Sequence, residues 1–112
     1  MPCLFCKIIA GEIPSKKIFE DELAYAFRDI NPKASTHVLI VPRKHIASLA
    51  EAGAEDQALL GYLHLVAARI ASSEGLAGGF RTVINTGNDG GQTVDHLHVH
   101  LLGGRPMSWP PG

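Results

Sequence analysis

The run His96-Leu97-His98-Val99-His100-Leu101-Leu102 decides how this chain is read, because imidazole and aliphatic side chains alternate through it without a break. Successive side chains of a β-strand point to opposite faces. The run therefore predicts a strand over 96–102 with three histidines on one face and Leu97, Val99 and Leu101 on the other. The aliphatic face suits burial and the imidazole face suits chemistry. Directly before it lies a glycine-rich loop, Thr86-Gly87-Asn88-Asp89-Gly90-Gly91-Gln92-Thr93. Its glycines let backbone N–H groups turn toward an anion, and Gln92 and Thr93 add side-chain donors. An imidazole is mostly neutral at cytosolic pH and nucleophilic in that form, while a neighbouring ring serves as acid or donor. Loop and strand together point to phosphoryl chemistry. Three histidines on one strand face also suggest a catalytic Zn²⁺. Ligands at alternate residues of a straight strand converge poorly on one ion, however, and no Asp or Glu lies inside the run to complete the set.

Outward from this run, Phe80 to Asn85 reads as a strand. Ala54 to Glu74 is the longest helical period, with Leu59, Leu63, Val66 and Ile70 on one stripe, Glu55, Asp56, Arg69 and Ser73 away from it, and Gly75 as its cap. Leu60, Leu65 and Ala67 widen the apolar surface, which fits either a subunit contact or a well-covered core helix. Ser48 with Glu51 matches a capping box for a short helix. Thr36 to Val41 is a strand ended by Pro42. Lys16–Glu20 and Leu23–Arg28 read as a hairpin turning at Glu20-Asp21-Glu22, and Cys3–Ala10 as one or two helical turns stopped by Gly11 and Pro14. The tail from Arg105 to Gly112, with prolines at 106, 110 and 111, is neither ordinary helix nor central strand. Strands in runs joined by short turns, with one long helix inserted once, predict an antiparallel α+β fold: about five strands, one long helix and a short N-terminal helix, in a single domain over 1–112.

The 112 residues are 46% hydrophobic with a formal charge of −1, enough for one core without a disulfide framework. No basic cluster exceeds Lys16-Lys17 or Arg43-Lys44, so the footprint of a nucleic-acid binder is missing, while a small phosphorylated ligand remains compatible. The start, Met1-Pro2-Cys3-Leu4-Phe5-Cys6, lacks a basic region followed by a long apolar segment, and no 18-residue apolar run occurs. No membrane association and a cytoplasmic location are expected. In that reducing compartment the Cys3-x-x-Cys6 pair points to metal ligands or a redox pair rather than a structural disulfide.

At this point the chain resembles the histidine triad (HIT) hydrolases, and within them the Hint-like purine nucleoside phosphoramidases. His96 to Leu102 matches the His-φ-His-φ-His-φ-φ pattern. The likeness extends through Phe19-Glu20-Asp21, Phe27-Arg28-Asp29-Ile30, Thr36-His37-Val38-Leu39-Ile40-Val41-Pro42, Asn85, Gly90-Gly91-Gln92-Thr93 and the Trp109-Pro110-Pro111-Gly112 tail. The resemblance implies His98 as the nucleophile on the α-phosphorus, forming a transient nucleotidyl-histidine. It implies His100 as phosphate or leaving-group contact and His37 as support from the neighbouring strand. Asn85, Gly91, Gln92 and Thr93 would contact the phosphate and leaving group, and Asp29 the ribose hydroxyls. Phe5, Ile8, Phe27 and Ile30 would line a purine pocket, although as residues alone they read as core. Thr93 stands where many relatives have serine. Cys3 and Cys6 resemble the C-x-x-C of bacterial HIT proteins, implying a structural Zn²⁺ held with His45 and His96, and no metal in the chemical step. A homodimer built on the long helix and its neighbouring strand is implied too, with Trp109 reaching toward the partner's active site. The expected substrate is an AMP-like or GMP-like ester or amidate. The alternatives are dinucleoside polyphosphate hydrolysis, or a nucleotide-binding regulatory module with incidental turnover.

Overall fold

In the computed structural model, which describes residues 3–112, the histidine run feeds the interior of a five-stranded antiparallel sheet. The strands are β1 (Lys17–Glu20), β2 (Ala24–Arg28), β3 (Thr36–Pro42), β4 (Phe80–Val83) and β5 (Val99–Gly103), in the order β1-β2-β3-β5-β4. The helices are α1 (Leu4–Ile9) and α2 (Gln57–Ser73). This is the expected α+β arrangement, with the long helix inserted between β3 and β4. Met1 and Pro2, where the reading of the leader begins, lie outside the described residues. Among the described residues no helix is long and apolar enough to cross a membrane.

The strand of the histidine run starts later than its alternation predicts, at Val99 rather than His96. Its partner explains this. Beyond Ile40↔Val99 the register would set Leu97 opposite Pro42, and proline has no N–H to give a ladder. Leu97 instead donates its N–H to Ile46 O at 2.7 Å, and His96 turns tightly, donating its N–H to Val94 O at 2.8 Å. The two-faced pattern survives the loss of the ladder. Leu97, Val99 and Leu101 enter the cluster under α2 with Val38, Ile40, Leu63, Val66 and Ile70. On the opposite face, Phe5 and Ile8 of α1 pack with Tyr25, Phe27, Leu39 and Val41. One helix thus covers one face, and the shorter α1 covers part of the other; the remainder of that second face carries the histidines.

Local signals account for most boundaries. Asp21 accepts the Leu23 and Ala24 N–H groups at 2.9 and 2.8 Å, closing the hairpin between β1 and β2. After α2, Gly75 adopts φ +77°, and the Gly75 and Leu76 N–H groups reach back to Ser72 O and Ala71 O. That pair of bonds is a Schellman cap, and Leu76 completes it by packing on the core. Three expectations need correction. The α-helix begins at Gln57 after a 3₁₀ turn over Ala54–Asp56, and Asp56, expected on the solvent side, is buried. It accepts Gly53 N–H at 3.0 Å and the Lys44 ammonium at 2.6 Å, so its carboxylate anchors the helix start. Ser48 makes no capping bond, and only a 3₁₀ turn forms over Leu49–Glu51. The tail runs outside the sheet, tied by Arg81 Nη2–H to Ser108 O at 2.9 Å, with Trp109 83% exposed.

Candidate active site and candidate metal centre

Two clusters form on the second face of the sheet, and both use residues of the histidine run. In the first, β3 presents His37 and β5 presents His100, with Asp29 just past the end of β2. Lys33 N–H donates to His37 Nδ1 at 3.0 Å. That nitrogen therefore holds a lone pair, and the neutral ring carries its proton on Nε2. Nε2 lies 2.9 Å from His100 Nδ1 and 3.4 Å from an Asp29 carboxylate oxygen. Donation along the shorter contact makes His100 Nδ1 an acceptor and leaves the His100 proton on Nε2. Burial, with His98 and His37 adding to it, lowers the His100 pKa to about 4, and burial also lowers that of His37 despite the Asp29 charge. Both rings are neutral near pH 7.

His98 lies beside this pair, its ring 4.9 Å from that of His100. It is only 4% exposed, and its Nδ1–H donates to the His96 carbonyl at 2.7 Å. In the neutral ring the lone pair then sits on Nε2, which is the condition for a nucleophilic imidazole. Phe5 of α1 meets the His98 ring edge-on at 5.0 Å and 89°, restricting its rotation.

The second cluster is Cys3, Cys6, His45 and His96, whose ligand atoms all lie within 4.8 Å of one another. His96 donates Nε2–H to Pro42 O at 2.8 Å, so its Nδ1 lone pair points the other way. It faces Cys3 Sγ at 3.3 Å, Cys6 Sγ at 3.6 Å and His45 Nδ1 at 3.1 Å, while Cys6 Sγ and His45 Nδ1 are 3.5 Å apart. Zn–N bonds of about 2.0–2.1 Å and Zn–S bonds of about 2.3 Å imply tetrahedron edges of roughly 3.3–3.8 Å, close to these separations. Two thiolates and two imidazoles, one oriented by a backbone carbonyl, fit zinc. Burial and the adjacent Cys3 sulfur push the Cys6 thiol up, and a cation between the sulfurs would reverse that. The same chemistry separates the clusters. A metal on His37 Nε2 would need the position that the Lys33 N–H bond makes the proton's, so the set of Asp29, His37 and His100 suits hydrogen bonding better than ligation.

The other residues singled out from the sequence are distributed around these clusters. Phe5, Ile8 and Phe27 are buried in the core beside α1, with the Phe5 and Phe27 rings 5.5 Å apart. Ile30 is 93% exposed. It rims a cavity of about 540 Å³ whose wall includes Pro14, Lys16, Asp29, Pro32 and His37. Asn85 follows β4, and the register carried on from Val83↔His100 sets it opposite His98. Gln92 holds the loop together: its amide N–H groups go to Ala47 O and Val94 O, and its oxygen accepts Gly87 N–H. Gly91, at φ +81°, and Gln92 direct their own N–H groups into the loop, to Asn88 O and Gly87 O. Gly90 is needed for close approach, since a Cβ there would strike the Thr86 backbone. Thr93 is exposed on a groove shared with Cys3, Cys6 and His45. The distant Trp109 meets neither cluster within this chain. Sequence reasoning missed Pro42 O, Lys33 N–H and the His96 carbonyl. They are backbone atoms and leave no side-chain signal.

Comparisons with known proteins bear on the family and the fold. The family model described as HIT domain matches residues 10–107. The 14 kDa zinc-binding protein of Zea mays is 54% identical over 113 residues, spanning 99% of this chain and 88% of the maize protein. The crystal structure of a HIT family hydrolase from Legionella pneumophila superposes with a TM-score of 0.97 at 52% identity, covering 99% of this chain and all of that one. The histidine triad nucleotide-binding protein of Candida albicans gives 0.83 at 35% identity, covering 97% of this chain and 83% of that one.

Proposed function

The chain belongs to the HIT domain family, and from that premise we propose that it hydrolyses purine nucleoside monophosphate conjugates of AMP or GMP type, cleaving a P–N or P–O bond through a nucleotidyl-His98 intermediate. The observation that carries this reading is the bond from His98 Nδ1–H to the His96 carbonyl, which leaves Nε2 as the nucleophilic atom. Nε2 attacks the α-phosphorus. As the P–N bond to the ring forms, the bond to the leaving group breaks, and its electron pair goes with the departing amine or alcohol, which takes a proton from solvent. Water then adds to phosphorus and returns a proton to solvent, the P–Nε2 bond breaks, and the free ring and a nucleoside monophosphate result. His100, with Nε2–H available, donates to a phosphoryl oxygen as charge builds there. His37 holds His100 in that tautomer, which makes it a positioning residue. Asp29 keeps acceptor capacity for the ribose hydroxyls beyond the Asn31 N–H that it binds at 2.8 Å. Asn85 and the Thr93 hydroxyl are the further phosphate and leaving-group contacts.

Cys3, Cys6, His45 and His96 would hold Zn²⁺ in a closed, structural role, and no step of the reaction passes through a metal. Residues 1–112 act as one domain in the cytoplasm, binding neither membrane nor nucleic acid. A homodimer formed along α2 and the edge strand β4 would cover Leu65 and Phe80, which are 57% and 46% exposed, and would give Trp109 a surface to meet. The test of the reaction is His98→Ala, which should abolish turnover of a nucleoside phosphoramidate while mononucleotide binding persists. Undiminished turnover would refute it. Running a dinucleoside tetraphosphate beside the phosphoramidate identifies the better substrate class.

A further inference from the structure

The two clusters meet at one residue. His96 aims its ring Nδ1 at Cys3, Cys6 and His45, and its backbone carbonyl receives the Nδ1–H of His98. A second tie runs through α1. Cys3 is the N-cap of that helix and Cys6 lies in its first turn. Phe5 between them sets its ring edge against His96 at 5.9 Å and His98 at 5.0 Å. We propose that Cys3, Cys6 and His45 are positioning residues for the nucleophile: metal held by them fixes the tautomer and aim of His98 through His96 and Phe5. The inference rests on His98 being the nucleophile.

The segment before β5 needs such a device because it has no ladder. Its main chain is held by Leu97 N–H on Ile46 O, and the His96 ring by Nε2–H on Pro42 O. These bonds hold one end of the ring and one point of the peptide after it. The other end, Nδ1, faces two sulfurs and another imidazole nitrogen, a donor set that a cation can join. Without the cation the ring can turn about its Pro42 bond and the first turn of α1 is free to shift, which tilts the 96–97 peptide about its single bond to Ile46 O and moves Phe5 off the His98 ring. Once the aim of the His96 carbonyl changes, His98 is released to its other tautomer, in which the proton occupies Nε2 and blocks attack. A misplacement of about 1 Å near a reacting centre is enough to cost on the order of a hundredfold in rate. A metal that merely staples the fold would instead act through the folded fraction alone.

The experiment compares zinc-loaded protein, chelator-stripped protein and His45→Asn, which removes the exposed ligand. Each is held at a temperature where melting curves show it folded. Long-range ¹H–¹⁵N NMR of the histidine rings reports the His98 tautomer, kcat and KM are measured separately on a nucleoside phosphoramidate, and AMP binding is titrated. Stripping should lower kcat at least about tenfold, in the range seen when groups supporting a metal site are removed. KM and AMP affinity should stay within about twofold, while the His98 Nδ1–H signal gives way to mixed tautomers. Restoring zinc should restore both. Phe5→Leu, which keeps all four ligands, should show part of the same kcat loss at full zinc content, and it decides the matter if stripped protein and His45→Asn do not fold. An unchanged His98 signal with unchanged kcat, or a loss of activity that tracks only the unfolded fraction, would overturn the inference. If His98→Ala remained active the reaction scheme would fail, while the tautomer measurement would still test the coupling.

Discussion

His96 and His100 lie on the same face of the same run, four residues apart, and do different things because different backbone atoms claim their neighbourhoods. His96 donates Nε2–H to Pro42 O, so its remaining lone pair joins those of Cys3, Cys6 and His45. His100 accepts on Nδ1 from His37, whose own tautomer is set by Lys33 N–H, so its remaining atom is a donor. One cluster collects lone pairs and suits a cation; the other passes donors along and suits a phosphoryl oxygen. His98 lies between them, with Nδ1–H given to the carbonyl of His96 and its ring against His100. Imidazole chemistry here is decided by which of its two nitrogens the main chain occupies.

The strongest way to separate the clusters is to remove the metal. A site with ligand at a thousandfold excess over Kd stabilises by about 4 kcal/mol, so chelation should lower Tm by more than about 10 °C for a chain of this size. His37→Leu should leave that Tm response and the zinc stoichiometry intact. It should instead lower kcat by up to about a hundredfold, since His100 loses the donor that sets its tautomer and orientation. His37→Gln, which can still donate an N–H, should retain more activity than His37→Leu, and equal losses would break the proposed relay. Acid sharpens the contrast further. His100 has a folded pKa of about 4 against an ordinary value of 6.5, and that of His37 is also lowered. The unfolded chain therefore binds more protons between those pH values, and stability falls as pH drops from 6.5 toward 4, with no contribution from these rings above 6.5. Urea midpoints taken across that window with chelator present should fall less steeply in His100→Asn than in the wild type. The smallest effect belongs to a site on the other face. Arg28 and Glu74 pair through two bonds of 2.9 and 3.0 Å, and Glu74→Gln should cost at most about 1 kcal/mol by thermal melts while zinc content stays unchanged.

Much of the fold was legible because burial imposes period. The alternation from His96 to Leu102 identified the two faces, and the stripe of Leu63, Val66 and Ile70 identified the covering helix. The start of β5 was not legible, because it depends on Pro42 lying across from Leu97 in a strand far away in sequence. Asp56 looked like a solvent residue because its partners, Lys44 and Gly53 N–H, come together only after folding. The histidine alternation and the C-x-x-C spacing pointed to the chemistry, and the family resemblance supplied His37, Asp29 and His45 as their partners. The backbone partners of the rings, which decide what each cluster does, are invisible to any reading of side chains. Gln92 illustrates the same limit, since its amide is occupied by the loop that it closes.

The central claim is that His98 Nε2 bonds covalently to phosphorus during turnover. Mass spectrometry of protein quenched in the first turnover with an AMP phosphoramidate tests it most directly, with peptide mapping at neutral to mildly alkaline pH to preserve a phosphorus–nitrogen bond. The account predicts the added mass of a mononucleotidyl group on the peptide carrying His98, and its absence in His98→Ala. An adduct on another residue, or product formed within that first turnover with His98 unmodified at every time point, would contradict it.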